Sequence, residues 1–169
     1  MVCTMDYIIK LAFVLLVFLF SWFFQIQNQE WDVLRSMLKD AGNIAVHDAS
    51  QELDERALSQ GRLQLDYAEA YATFCKSLRL NLGLDESLTP LSGSRVREQV
   101  KVIKFEIVDE SSGVNFPFLY EDRDYGITKY LQGPAVIAVI ETEHPVVIPR
   151  AKIQEPIAVP AVQEYKLNQ

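Results

Sequence analysis

The sequence predicts an α+β fold: a long N-terminal membrane and stalk helix, a second helix, and a small, mainly antiparallel β-sheet head. Three features predict it. An apolar stretch opens the chain, and no Gly or Pro interrupts residues 1–41. A second helical pattern lies between Asp66 and Gly83, and beyond residue 94 the apolar period shortens from helical to alternating. The predicted organisation is an amino-terminal tail and transmembrane helix over 1–26, an amphipathic stalk over 27–58, and an α+β head with a proline-rich extended tail over 59–169.

The 169 residues, 49% of them hydrophobic, suffice for one membrane segment and one modest folded domain. The net charge of -7 arises almost wholly after the apolar stretch, because Lys10, Asp6 and Glu30 are the only charged residues before Trp31. An acidic domain without a concentrated Lys/Arg stripe repels phosphate backbones, so nucleic acid is not an expected partner. Cys3 and Cys75 flank the apolar run, so a bilayer would separate them and no disulfide framework is expected.

Tyr7 to Ile26 contains a single charge, Lys10, and an unbroken apolar core from Leu11 to Phe20 that resumes as Trp22-Phe23-Phe24. At about 1.5 Å per helical residue, this segment matches a hydrocarbon thickness of roughly 30 Å. Tyr7 and Trp22 fall where interfacial aromatics are favoured, and Lys10 lies close enough to the boundary to snorkel. The segment Ser21-Trp22-Phe23-Phe24-Gln25-Ile26 offers no small-x-small cleavage site, so an uncleaved single-pass anchor is predicted over a signal peptide. The weak charge bias favours an exported carboxyl domain.

Trp31, Leu34, Leu38, Ala41 and Ala45 recur at spacings of three and four, with Met37 and Ile44 alongside, which extends the helix as a stalk to about Ala49 or Leu58. This stripe needs a cover, either the chain's own distal domain or neighbouring stalks. Gly42-Asn43 lowers helix propensity in its middle and predicts a kink or short break. In the second helix, Asp66 is the predicted N-cap with Glu69 at its third position, and Gly83 is the stop. Tyr67, Tyr71, Phe74, Cys75, Leu78 and Leu82 form its predicted apolar face, and Ala68, Ala70 and Ala72 permit close approach to the stalk. Residues 84–94 read as a loop.

The segment QVKVIKFEIVD, residues 99–109, alternates imperfectly and is rich in β-branched residues, which predicts a strand with a shifted register or bulge. Phe116–Tyr120, Tyr125–Leu131 and Ala135–Thr142 are further strands, and the apolar run Ala135–Ile140 marks a central one. From His144 onward, Pro145, Pro149, Pro156 and Pro160 exclude a helix and allow at most edge-strand or extended structure.

Chemistry-bearing groups are sparse. His47-Asp48 are adjacent on the stalk and read as two partly exposed polar residues. Glu141, Glu143 and His144 in VIETEHP could converge on a metal only through a turn, because a strand places 144 on the opposite face. The cluster Glu121-Asp122-Arg123-Asp124 lacks the ligand spacing of a Ca²⁺ loop and reads as a solvated turn. Cys75 has no neighbouring His and reads as a packed thiol. With no paired nucleophile and base and no phosphate-cradling motif, the sequence indicates no enzyme, metal, cofactor or small-molecule substrate.

An apolar helix continuous with an amphipathic stalk and followed by a β-rich head resembles the subunits of type IV pilus-like filaments: pilins, pseudopilins and TadE-like minor pilins. The resemblance is architectural, covering Ile8 to about Ala49 as core helix and the rest as head. The leader-peptidase motif of that family is absent from residues 1–41, where no Gly occurs. In that family the apolar helices leave the membrane and bundle as the filament core while the heads form its wall. The resemblance implies an assembly interface of Leu11, Val14, Leu15, Phe18 and Trp22, continued by Trp31, Leu34, Leu38, Ala41 and Ala45. The function it implies is a structural subunit or assembly component of a membrane-associated surface filament, partnered by the membrane and by itself or related subunits. The alternative is a non-polymerising single-pass protein whose exported acidic head binds a protein or envelope partner.

Overall fold

A computed structural model describes residues 2–143 and 156–166, with the side chains of residues 2–6 and 27 excepted. The fold is α+β, with elements in the order α1 (Val2–Ala49), α2 (Glu55–Ser59), α3 (Tyr67–Leu82), β1 (Val100–Val108), a 3₁₀ turn at Glu110–Ser112, β2 (Phe118–Asp122), β3 (Ile127–Leu131), β4 (Ala135–Thr142) and β5 (Ile157–Glu164). The chain forms two compact units, residues 1–33 and residues 34–169.

In the first unit, α1 carries the apolar stretch, long and apolar enough to cross a membrane and not buried within the molecule. Phe18 and Trp22, one turn apart, pair their rings with centroids 6.4 Å apart.

In the second unit, Leu34, Leu38, Ala41, Ala45, Val46 and Ala49 of α1 are buried, the three- and four-residue spacing of a core-facing stripe. No break occurs at Gly42, since α1 runs through it to Ala49. The helix lies against β4 and β5 at this point: a Cβ there would meet Ile140 Cδ1 at 3.4 Å and Ala161 Cβ at 3.5 Å, ordinary van der Waals distances. Past Ala49 the Ser50 hydroxyl donates to the His47 carbonyl at 2.7 Å, and the chain turns into α2, which Asp54 caps through the amides of Arg56 and Ala57.

α3 begins and ends where its caps lie. Asp66 accepts from the amides of Ala68 and Glu69, and Gly83 takes the left-handed conformation at φ 66° while its amide bonds the Arg79 carbonyl. Its buried face is Ala70, Phe74, Ser77, Leu78 and Leu82, rotated from the predicted one. Tyr67 and Tyr71 are exposed and Cys75 is half-buried. The two tyrosines stack on each other and meet Phe105 of β1 edge-on at centroid distances of 5.6 and 5.1 Å, so their rings cap the sheet margin rather than fill the core. Of the three short alanines only Ala70 is buried. α3 is tied to the end of α1 by Ser77 Oγ donating to Asp48 Oδ2 at 2.7 Å, and Thr73 Oγ1 donates to Glu52 Oε1 just beyond it at 2.8 Å.

β1, β4 and β5 form an antiparallel sheet with β4 in the middle, and β2 and β3 form a separate antiparallel hairpin. The register of β1 on β4 shifts between Val102 and Lys104, the bulge expected from the broken alternation. β4 occupies its predicted bounds and is buried along almost its whole length. One face of it is covered at Ile140 by α1, and the other, through Ala135, Ile137 and Val139, packs with Tyr120, Ile127 and Leu131 of the hairpin. A strand apolar on both faces needs two covers, which is why a second two-stranded layer exists.

β2 starts two residues later than predicted because Pro117 has no N–H for a ladder, and β3 starts after the left-handed Gly126. The proline-bearing β5 is an edge strand, with Pro160 opposite Val139. His144, Pro145 and Pro149 lie outside the described residues.

Candidate functional site

Two features could act outside the fold: the apolar surface of α1 and a charged groove on the hairpin layer. On α1, Leu11, Val14, Leu15, Phe18 and Trp22 are all more than half exposed. Trp31 is intermediate, whereas Leu34, Leu38, Ala41 and Ala45 are buried within the chain's own second unit. Nine of the ten residues of the sequence-derived interface thus separate into five exposed ones in the first unit and four built into the core of the second, with Trp31 intermediate between them.

The groove is assembled by β1 and β2. After the bulge, Lys104 and Glu106 point to the hairpin side of the sheet, where Lys104 Nζ lies 2.6 Å from Asp122 Oδ2 and 3.0 Å from Glu106 Oε2. Tyr120 donates its hydroxyl to Glu106 Oε2 at 2.7 Å, and the Lys104 ammonium sits 5.4 Å from the Tyr120 ring centroid. Burial alone would push the Lys104 ammonium down, but hydrogen bonding to Asp122, Tyr120 and Glu106 outweighs it and holds the group above its ordinary value. The Lys104 hydrogen bond holds the Asp122 carboxyl below the usual carboxylate range. Burial, and secondarily the Glu106 carboxylate, raises the Tyr120 phenol.

Beside this network lies an open groove of about 500 Å³ with Val108, Val114, Phe118 and Tyr120 along it and Glu106 and Glu121 among its polar lining. Sequence reasoning missed it. Its one legible signal was Lys104-x-Glu106, two opposite charges on one strand face.

The other candidates resolve into structural roles or remain apart. Asp48 accepts from Ser77, and His47 Nδ1 lies 3.4 Å from Asp48 Oδ1 at an exposed position. In the acidic segment, Asp122 is not a solvated turn residue: besides its ion pair with Lys104, its Oδ1 accepts from the amides of Asp124 and Tyr125. Glu143 pairs with Lys101 at 3.8 Å, while His144 lies outside the described residues. Among the described residues no three His, Cys, Asp or Glu side chains gather as a metal site. Burial raises the Cys75 thiol despite its hydrogen bond with Tyr71 and the nearby Arg79, which keeps it protonated and weakly nucleophilic.

The chain matches no protein-family model, no curated protein and no solved structure.

Proposed function

We propose that this chain is a membrane-anchored structural subunit or assembly component of a pilus-like or other membrane-associated surface filament. In this reading it self-associates through the apolar part of α1 and exports its carboxyl-terminal domain. It works by packing and binding rather than by catalysis. The observation that carries the reading is the division of labour along α1: residues 34–49 supply the core of a domain that has its own hydrophobic centre, while the bulky apolar residues from Tyr7 to Ile26 are left uncovered. Apolar surface on that scale must be removed from water by lipid or by other helices. The pilin-like architecture supplies both in turn, the bilayer before assembly and the helix bundle after it.

The rival reading is a non-polymerising anchored protein with a partner-binding acidic head. It draws support from Phe13, Phe18, Phe20, Phe23 and Phe24, which are spread around the helix in a way that lipid tails accommodate without matched faces. Intact-mass analysis and electron microscopy of native protein, comparing sheared surface material with detergent-extracted membranes, separate the two. Filaments whose subunit retains residues 11–24 are expected. Discrete full-length particles confined to membranes would establish the rival.

A further inference from the structure

The second unit carries complementary charges at the two ends of one strand. Just before β1, Arg95 and Arg97 are exposed on either side of Val96, which is buried at 2% exposure. The segment is pinned by the Ser94 hydroxyl, which donates to the Leu82 carbonyl at 2.7 Å and accepts from the Val96 amide at 3.1 Å. Both arginines are exposed, and neither has an ion pair among the described residues.

Toward the far end of β1 lies the groove of Glu106, Val108, Phe118 and Glu121. Its charge is unbalanced, because Lys104 is shared between the carboxylates of Glu106 and Asp122, and Glu121 adds another with no ion pair among the described residues. Two negative charges are therefore in surplus beside an apolar floor. That combination suits an arginine, whose stem packs on apolar surface while its planar fork meets carboxylates.

We propose that copies of this chain join head to tail, with the Arg95–Arg97 pair of one copy seated in the groove between β1 and β2 of the next. The inference rests on the filament reading above. The two surfaces lie on the order of 25 Å apart along β1, taking about 3.3 Å per strand residue. They do not meet within one domain. A contact between two different surfaces is heterologous, so it leaves one free end on each side and propagates. Charge complementarity of this kind sets register and partner choice.

The test is disulfide trapping of the full-length protein in its native membranes and in sheared surface material, in a background carrying Cys3→Ser and Cys75→Ser. With Arg97→Cys and Glu121→Cys combined, mild oxidation gives a ladder of dimers, trimers and higher species, whereas either substitution alone gives dimers at most. Adding Arg95→Glu, or raising the salt concentration, reduces the species above dimer several-fold. A ladder indifferent to both treatments overturns the charge-based contact. Filaments of the same protein that yield no ladder overturn the contact and leave the filament reading intact. A ladder without filaments supports the contact and overturns the filament reading, and the absence of both overturns the two together.

Discussion

Two buried positions show how single residues set the packing of the second unit. Gly42 lies in the interior of α1, where glycine costs about 1 kcal/mol relative to alanine, and its absent Cβ would sit at ordinary van der Waals distance from Ile140 and Ala161. Gly42→Ala is therefore expected to leave the fold intact and raise unfolding stability by up to about 1 kcal/mol. Gly42→Leu, which must displace β4 and β5, lowers stability by about 1–3 kcal/mol, as read from denaturant midpoints. Asp109, at 2% exposure, reaches back 44 residues to accept the Leu65 amide at 3.0 Å, and also accepts the amide and hydroxyl of Ser111. Asp109→Ala leaves the Leu65 N–H without its acceptor, and a loss of about 2–3 kcal/mol is expected from the same measurement.

Among the elements, β1 and β2 belong to different sheets, and a charged tie joins them where a ladder does not. The Asp122 carboxyl is held low, chiefly by the Lys104 hydrogen bond, so its contribution is fully present above the unfolded carboxylate value of about 3.9 and is lost as pH falls through the lower folded value. Lys104 is held high, so its contribution is fully present below about 10.4 and is lost as pH rises through the folded value. Asp122→Asn is accordingly expected to unfold more easily than the parent between about pH 5 and 9. The difference between the two should shrink below about pH 4, a comparison thermal melts across that range can make. None of this tie was legible in the sequence, because residues 104 and 122 meet only once the hairpin has folded over the sheet. By contrast, the bounds of α3 were legible from Asp66 and Gly83, and the β1 bulge from its broken alternation, because caps and alternation are local. The rotation of the α3 face was not: Tyr67 and Tyr71 satisfy helical periodicity, yet they pack on Phe105 from a strand whose position a linear pattern does not supply.

For the whole molecule, the apolar helix was readable from composition alone, but where the second unit begins along it was not. The periodic stripe from Trp31 to Ala45 looked uniform, yet Trp31 is half-buried whereas Leu34 and Leu38 are buried. Residues 34–169 hold a buried core on both faces of β4, closed by α1 at Ile140 on one side and the hairpin on the other, with α3 packed on Phe105 of β1 and no buried contribution from the apolar residues of 7–26. Stability and membrane attachment are therefore predicted to be separable. A fragment comprising residues 34–169 should remain in the soluble fraction and melt cooperatively, while the full chain should require detergent for extraction. The two should share a melting transition to within a few degrees, because the removed segment contributes little to the core. A fragment that aggregates or melts without cooperativity would mean that the α1 residues before Leu34 are needed to nucleate the helix whose last four turns complete the domain.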